Sequence, residues 1–144
     1  MEAVEVMPEV LDAAGRALSG KGPVHMVNLV RYRAQADYGE QPGIAPCSGR
    51  EAYLQRYVAA FGKVAEQVAA GEKFNVVLLG SVQATLVPPT GEAWDDIAII
   101  EYPSFETLQR IIGSPEYEAE AAPHRRAALE DWRFIATIRA GLPA

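Results

Sequence analysis

Asn28 is an amide in the middle of the apolar run VHMVNLVRYR. Buried without a partner it would cost about 1–3 kcal/mol. It therefore needs a hydrogen bond to a neighbouring loop, to a tyrosine or aspartate across a sheet, or to a ligand. Trp94, Asp95 and Asp96 form a second polar cluster. A carboxylate pair can share a proton or hold a cation, but adjacent residues on a strand point to opposite faces. The two therefore cannot act together on one atom, and a solvated turn is the simpler reading. His124 and Arg125 follow Pro123, and a helix end kinked by that proline could aim both at a bound carboxylate or phenolate. The alternative for Arg125 is an ion pair with Glu116 or Glu118. Tyr53 and Tyr57, one helical turn apart, either edge a core or line a cleft.

Other chemistries lack their parts. His25 and His124 are the only imidazoles, nearly a chain length apart, with no spacing that suggests zinc or iron. No metal and no cofactor are expected. The single Cys47 lies between Pro46 and Ser48-Gly49 and reads as a bystander thiol in a loop. No Gly-rich phosphate loop, G-x-S-x-G elbow, Ser-His-Asp order or C-x-x-C pair occurs, so hydrolase and kinase readings have no support.

The elements that must carry these residues follow from periodicity and punctuation. Pro8 to Leu18 is a short amphipathic helix, stopped by Gly20-Lys21-Gly22-Pro23. The first strand follows from Val24, with Val24, Met26, Asn28, Val30 and Tyr32 on one face and apolar centres on both. Residues 34–47 form a long irregular loop containing Gly39, Pro42, Gly43 and Pro46, as a lid or partner-embracing arm. Ser48 and Glu51 make a capping box for a helix running to Gly71. Phe74 to Val87 and Trp94 to Tyr102 read as a hairpin closed by Pro88-Pro89-Thr90-Gly91. Ser104 and Ser114 cap two helical segments, and DWRFIATIR supplies a last strand.

The order β-α-β-β-α-β after an N-terminal helix is the split-βαβ, ferredoxin-like arrangement: α+β, with a four-stranded antiparallel sheet. Two helices cover only one sheet face. The apolar content of the other predicts a second copy of the same sheet, a homodimer closing an α+β barrel. A length of 144 residues fits one domain, 1–144, with residues 1–22 as a helical extension. The net charge of -6 argues against nucleic acid, no apolar run could span a membrane, and the start lacks a signal-peptide pattern, so a cytoplasmic protein is expected.

The run Ile99-Ile100-Glu101-Tyr102-Pro103-Ser104-Phe105-Glu106, followed by Ser114-Pro115-Glu116-Tyr117 and a later arginine, resembles domain-of-unknown-function family thirteen-thirty of the dimeric α+β barrel superfamily. By that likeness Arg125 matches the family arginine after the SPEY motif. The chain has Gly71-Glu72-Lys73 where members often carry Gly-Gly-Arg, and a longer 34–46 loop. The resemblance implies the fold and the dimer, and no general activity.

Together these readings place Asn28, Trp94, His124 and Arg125, with Tyr53 at the margin, around one cleft between the sheet and the helix after Ser114. An amide, an indole and a guanidinium suit a small anionic or aromatic organic ligand. A cofactor-free enzyme and a non-catalytic ligand-sensing or interaction module both fit that description.

Overall fold

The computed structural model describes residues 4–141. Met1 to Ala3, part of the expected N-terminal extension, lie outside the described residues. Helix α1 (Pro8–Leu18) starts on a first-turn proline, where the missing N–H costs nothing. Strand β1 (Val24–Tyr32) follows, then the loop, then a continuous helix α2 over residues 49–68. Next come β2 (Asn75–Ser81), β3 (Asp96–Tyr102), α3 (Phe105–Ile112), α4 (Pro115–Glu120), α5 (Ala122–Ala128) and β4 (Leu129–Thr137). The strands form one antiparallel sheet in the order β2-β3-β1-β4, the ferredoxin-like topology expected from the element order.

β1 is central and its alternation is read out cleanly. Val24, Met26, Asn28 and Val30 are buried against the helices, while His25, Val27 and Leu29 face the opposite side. The core lies between this inner face and the helices, built from Met26, Val64, Phe105, Leu108, Ile111 and Leu129 among others. Ser48, Ser104 and Ser114 each accept from the backbone N–H three residues on, and Glu51 completes the capping box.

Two local features depart from expectation. The second strand ends at Ser81, not Val87: Val82 still donates to Asp95 at 2.8 Å, but the ladder stops and residues 82–95 form a loop around Pro88-Pro89. Its tip holds Leu86 and Val87 almost fully exposed. Secondly, α2 widens to π-helix over Ala52–Tyr57, where Val58 donates to Tyr53 five residues back. Within this turn the Tyr53 and Tyr57 rings stack, 5.1 Å apart and 22° from parallel. The helical run after Ser114 does break as expected: it stops at Ala121, and Pro123 sits in the first turn of the next helix, α5.

Candidate functional site

A cleft of about 480 Å³ opens where the ends of β1 and β2, the start of β3 and the start of α2 meet, lined by Tyr32, Ser48, Arg50, Ser81, Asp95 and Asp96. Gly49 makes that meeting possible. A Cβ there would overlap the carbonyl oxygens of Arg33 and Ala128, so only glycine lets the helix start this close to β1 and α5. Arg50 is thereby set on the rim.

Asp96 is the centre of the cleft floor. It is 1% exposed, and its Oδ2 accepts the Tyr32 phenol at 2.6 Å and an Arg50 guanidinium nitrogen at 2.7 Å. Its Oδ1 is buried with no hydrogen-bond partner. Burial pushes the Asp96 carboxyl up, but the bonds from Tyr32 and Arg50, with Ser81 acting in the same direction from the opposite register position, hold it below the usual range. Burial, then Asp96 itself, pushes the Tyr32 phenol well above its ordinary value. Asp95, the last residue of the loop before β3, accepts the Tyr32 backbone N–H at 2.8 Å. The two adjacent carboxylates thus grip one residue, one by its backbone and one by its phenol. The solvated-turn reading is corrected for Asp96, because the β2–β3 register folds it inward.

From Tyr32 a file of aromatic rings leads inward. Tyr32 and Tyr53 lie 5.8 Å apart, Tyr53 stacks on Tyr57, and the Tyr57 and Tyr117 hydroxyls are 2.8 Å apart. Arg125 closes the file, donating to the Tyr117 hydroxyl at 2.6 Å. Its other nitrogens donate to the Val4 carbonyl at 3.1 Å and to Glu5 at 3.3 Å, and its guanidinium lies over the Trp132 ring at 5.2 Å. Trp132 in turn donates to Asn28 Oδ1, and Asn28 donates to the Ala98 carbonyl at 3.3 Å.

The structure therefore brings together three of the five predicted site residues and separates two. Asn28 and Arg125 share the helix side of the sheet, joined through Trp132, and Tyr53 is buried in the aromatic file rather than at a cleft margin. Trp94 lies apart, beneath Arg133, whose position on β4 opposite Leu29 belongs to the other sheet face. Its indole donates to Glu92. His124 turns away from Arg125 toward the long loop, where Nδ1 is 2.7 Å from the Tyr38 hydroxyl. One cleft bordered by all five does not form. The expected partners of Arg125 are also corrected: Glu118 bonds Arg126 instead, and the carboxylate beside Arg125 comes from Glu5.

Tyr32, Arg50 and Ser81 escaped the sequence reading. Arg50 hides inside a capping box, and only the strand register, which no local spacing encodes, puts Tyr32, Ser81 and Asp96 side by side.

Among the described residues, no group of three or more His, Cys, Asp or Glu side chains could hold a metal ion, and no helix is long and apolar enough to cross a membrane. No family model matches the chain, and no curated protein matches it. Solved structures do. The RPA0582 protein of unknown function from Rhodopseudomonas palustris is 36% identical, over 96% of this chain and 98% of that one, with a TM-score of 0.77. The methylated RPA0582 protein gives 37% identity, coverage of 96% and 95%, and a TM-score of 0.74. A weaker likeness, 13% identical over 80% of this chain and 94% of the other with a TM-score of 0.37, is to a dimeric protein of unknown function and ferredoxin-like fold from Bacteroides fragilis. With more than a third of its residues shared along nearly the whole of both chains, the chain belongs to the family of the Rhodopseudomonas palustris RPA0582 protein.

Proposed function

We propose that the protein is a homodimeric small-molecule-binding protein that holds a small polar organic molecule in the cleft over Asp96. The observation that carries this reading is the Asp96 carboxylate itself, buried at the cleft floor with one oxygen that meets no donor in good hydrogen-bond geometry, only Ser81 standing opposite it, beside a half-exposed Arg50 guanidinium. An unpaired buried carboxylate oxygen is costly. A ligand donor would relieve it, and the solvent-side N–H groups of Arg50 offer the same ligand a carboxylate or carbonyl site.

The acid–base balance favours holding over proton transfer. Asp96 is kept below the carboxylate range and Tyr32 above the phenol range, so neither is poised to exchange a proton near neutral pH. That supports ligand binding or sensing ahead of the cofactor-free enzyme reading. The dimer in this proposal is supported by the outer sheet face, where Val27, Leu29, Ile97 and Ile99 have no helix over them. A single domain, cytoplasmic residence and indifference to nucleic acid belong to the same proposal, supported by one contiguous core, a lone unpaired Cys47 and the net charge of -6. So does kinship with domain-of-unknown-function family thirteen-thirty, supported by the IIEYPSFE and SPEY segments.

The test is a solution NMR screen of short hydroxy acids, amino acids and amides. A binder should shift the amides of Ser48, Arg50 and Ser81 in the wild type and lose that effect in Arg50→Ala. If no compound perturbs these amides, or if the variant responds equally, the reading fails.

A further inference from the structure

We infer that Arg125 and Arg126 form a carboxylate-binding cradle, filled in this structure by Glu5 of the same chain, and that a free monocarboxylate competes with Glu5 for it. The occupant shows the chemistry. Glu5 presents both oxygens to Arg126, Oε2 to Nε at 2.7 Å and Oε1 to a terminal nitrogen at 3.0 Å, the side-on geometry in which a guanidinium holds a carboxylate. Arg125 donates to the same Oε1 at 3.3 Å. Two neighbouring residues of one helix thus converge on one carboxylate.

The cradle is built rather than incidental. Arg125 is 2% exposed, held by the Tyr117 hydroxyl and lying over the Tyr117 and Trp132 rings at 5.7 and 5.2 Å. A buried guanidinium needs a negative partner. The described chain supplies it from the segment that precedes α1. That segment is fastened by the Val4 side chain in the core and by the bond from Arg125 to the Val4 carbonyl. The other edge of Arg126 is held by both oxygens of Glu118, but this side faces solvent: Arg126 and Glu5 are about a third exposed, and Glu118 is more so. A small carboxylate can reach it without unfolding the core. Because Glu5 is tethered, it acts as an intramolecular competitor at an effective concentration in roughly the millimolar range. Free carboxylates therefore occupy the wild-type cradle only weakly, and removing the Glu5 charge unmasks it.

The inference is independent of the Asp96 cleft, and its test separates the two. Acetate and benzoate are titrated by NMR into the full chain and into Glu5→Gln, with chloride at matched ionic strength as the control. Glu5→Gln should bind both carboxylates about twofold more tightly than the wild type, the gain expected when effective concentration and intrinsic Kd are both in the millimolar range, with shifts at Arg125 and Arg126. The gain should vanish in Glu5→Gln combined with Arg126→Gln, and should survive Arg50→Ala. Equal affinity of Glu5→Gln and wild type, or a gain that persists without Arg126, overturns the inference. Should Glu5→Gln fail to fold, the wild type decides. Acetate, but not chloride, should speed hydrogen exchange of the Glu5 and Val6 amides, and no difference between the two salts overturns it.

Discussion

Trp132 donates its indole N–H to Asn28 Oδ1 at 3.0 Å, a diagonal pair across the β1–β4 ladder in which the amide partners one aromatic donor and, through its nitrogen, the β3 carbonyl of Ala98. One side chain therefore ties three adjacent strands on the buried face. Asn28→Ala would leave a buried indole donor without an acceptor, at a cost of about 1–3 kcal/mol. The denaturation midpoint should fall accordingly. The combined Asn28→Ala, Trp132→Phe variant should lose less than the sum of the two singles, because the orphaned group is then absent. Strict additivity would show that the bond contributes nothing.

Asp96 makes stability depend on acid in a defined direction. Its carboxyl is held below the usual range in the folded protein. The associated stability is therefore fully present above the unfolded aspartate value, about 3.9, and is lost as pH falls through the folded value. Asp96→Asn should be less stable than wild type at pH 7, by about 1–3 kcal/mol. The gap should close as pH drops below about 4. Paired urea titrations across that range measure it, and a gap that stays constant removes Asp96 from the acid response.

His124 sets a second window. Burial, then the positive charge of Arg56, lowers its pKa, so the fold favours neutral imidazole facing the Tyr38 hydroxyl. Its contribution is present above the ordinary histidine value, about 6.5, and is lost as pH falls through the lower folded value. The loop over residues 34–47 should loosen with it. Its backbone anchors are Ala36 N–H on Cys47 and Asp37 N–H on Ala127. The protection of the Ala36 and Asp37 amides relative to their intrinsic exchange rates should fall between pH 7 and 5 in wild type and not in His124→Asn. Parallel behaviour of the two proteins would remove the imidazole from the loop's anchoring.

Gly49 positions the cleft rim. Its missing side chain is where the Arg33 and Ala128 carbonyls approach, and Gly49 itself donates to Arg33 at 3.1 Å. Gly49→Ala must push α2 away from β1. A loss of about 1–3 kcal/mol is expected, together with displaced NMR signals at Arg50 and Asp96. Wild-type stability in Gly49→Ala would mean that the contact relaxes freely.

The sequence carries the fold because its signals are local and redundant. The Ser48, Ser104 and Ser114 caps, the two-residue alternation of β1 and the first-turn proline of α1 each occur within a few residues of what they specify. The phase of β1, on which Asn28 depends, was not legible from apolar content, because Val27 and Leu29 give the other face an apolar centre too; the structure makes Val24, Met26, Asn28 and Val30 the buried set. The site was less legible. Trp94 and His124 sit beside informative neighbours in sequence yet point elsewhere, Trp94 because it precedes β3 proper and His124 because the following helical position, not its own, faces Tyr117. The Asp96 cleft and the Glu5 clasp join residues 46 to 121 positions apart. Such contacts are set by register and chain return, which no short motif records.

The outer sheet face supplies the last prediction. β1 and β3 place Val27, Leu29, Ile97 and Ile99 there, and β4 adds Ile135 at 47% exposure. The bulged edge strand β2 contributes Val77 and Leu78 at 55% and 48%. His25–Glu101 and Arg31–Glu130 pairs flank this apolar centre, which is the arrangement of an interface core with a polar rim. Two copies packed face to face would bury it and leave the Asp96 cleft at the sheet end. Light scattering at micromolar concentration should return twice the chain mass. Ile99→Glu, which sets a charge at the centre of the face, should yield monomers without disturbing the inward-facing core. The other exposed apolar group, Leu86-Val87 at the tip of the 82–95 loop, provides the contrast. Leu86→Ser with Val87→Ser should remain dimeric if the sheet face carries association. A monomeric wild type would sink the dimer, and dissociation of the loop variant with Ile99→Glu still dimeric would move the interface from the sheet to the loop.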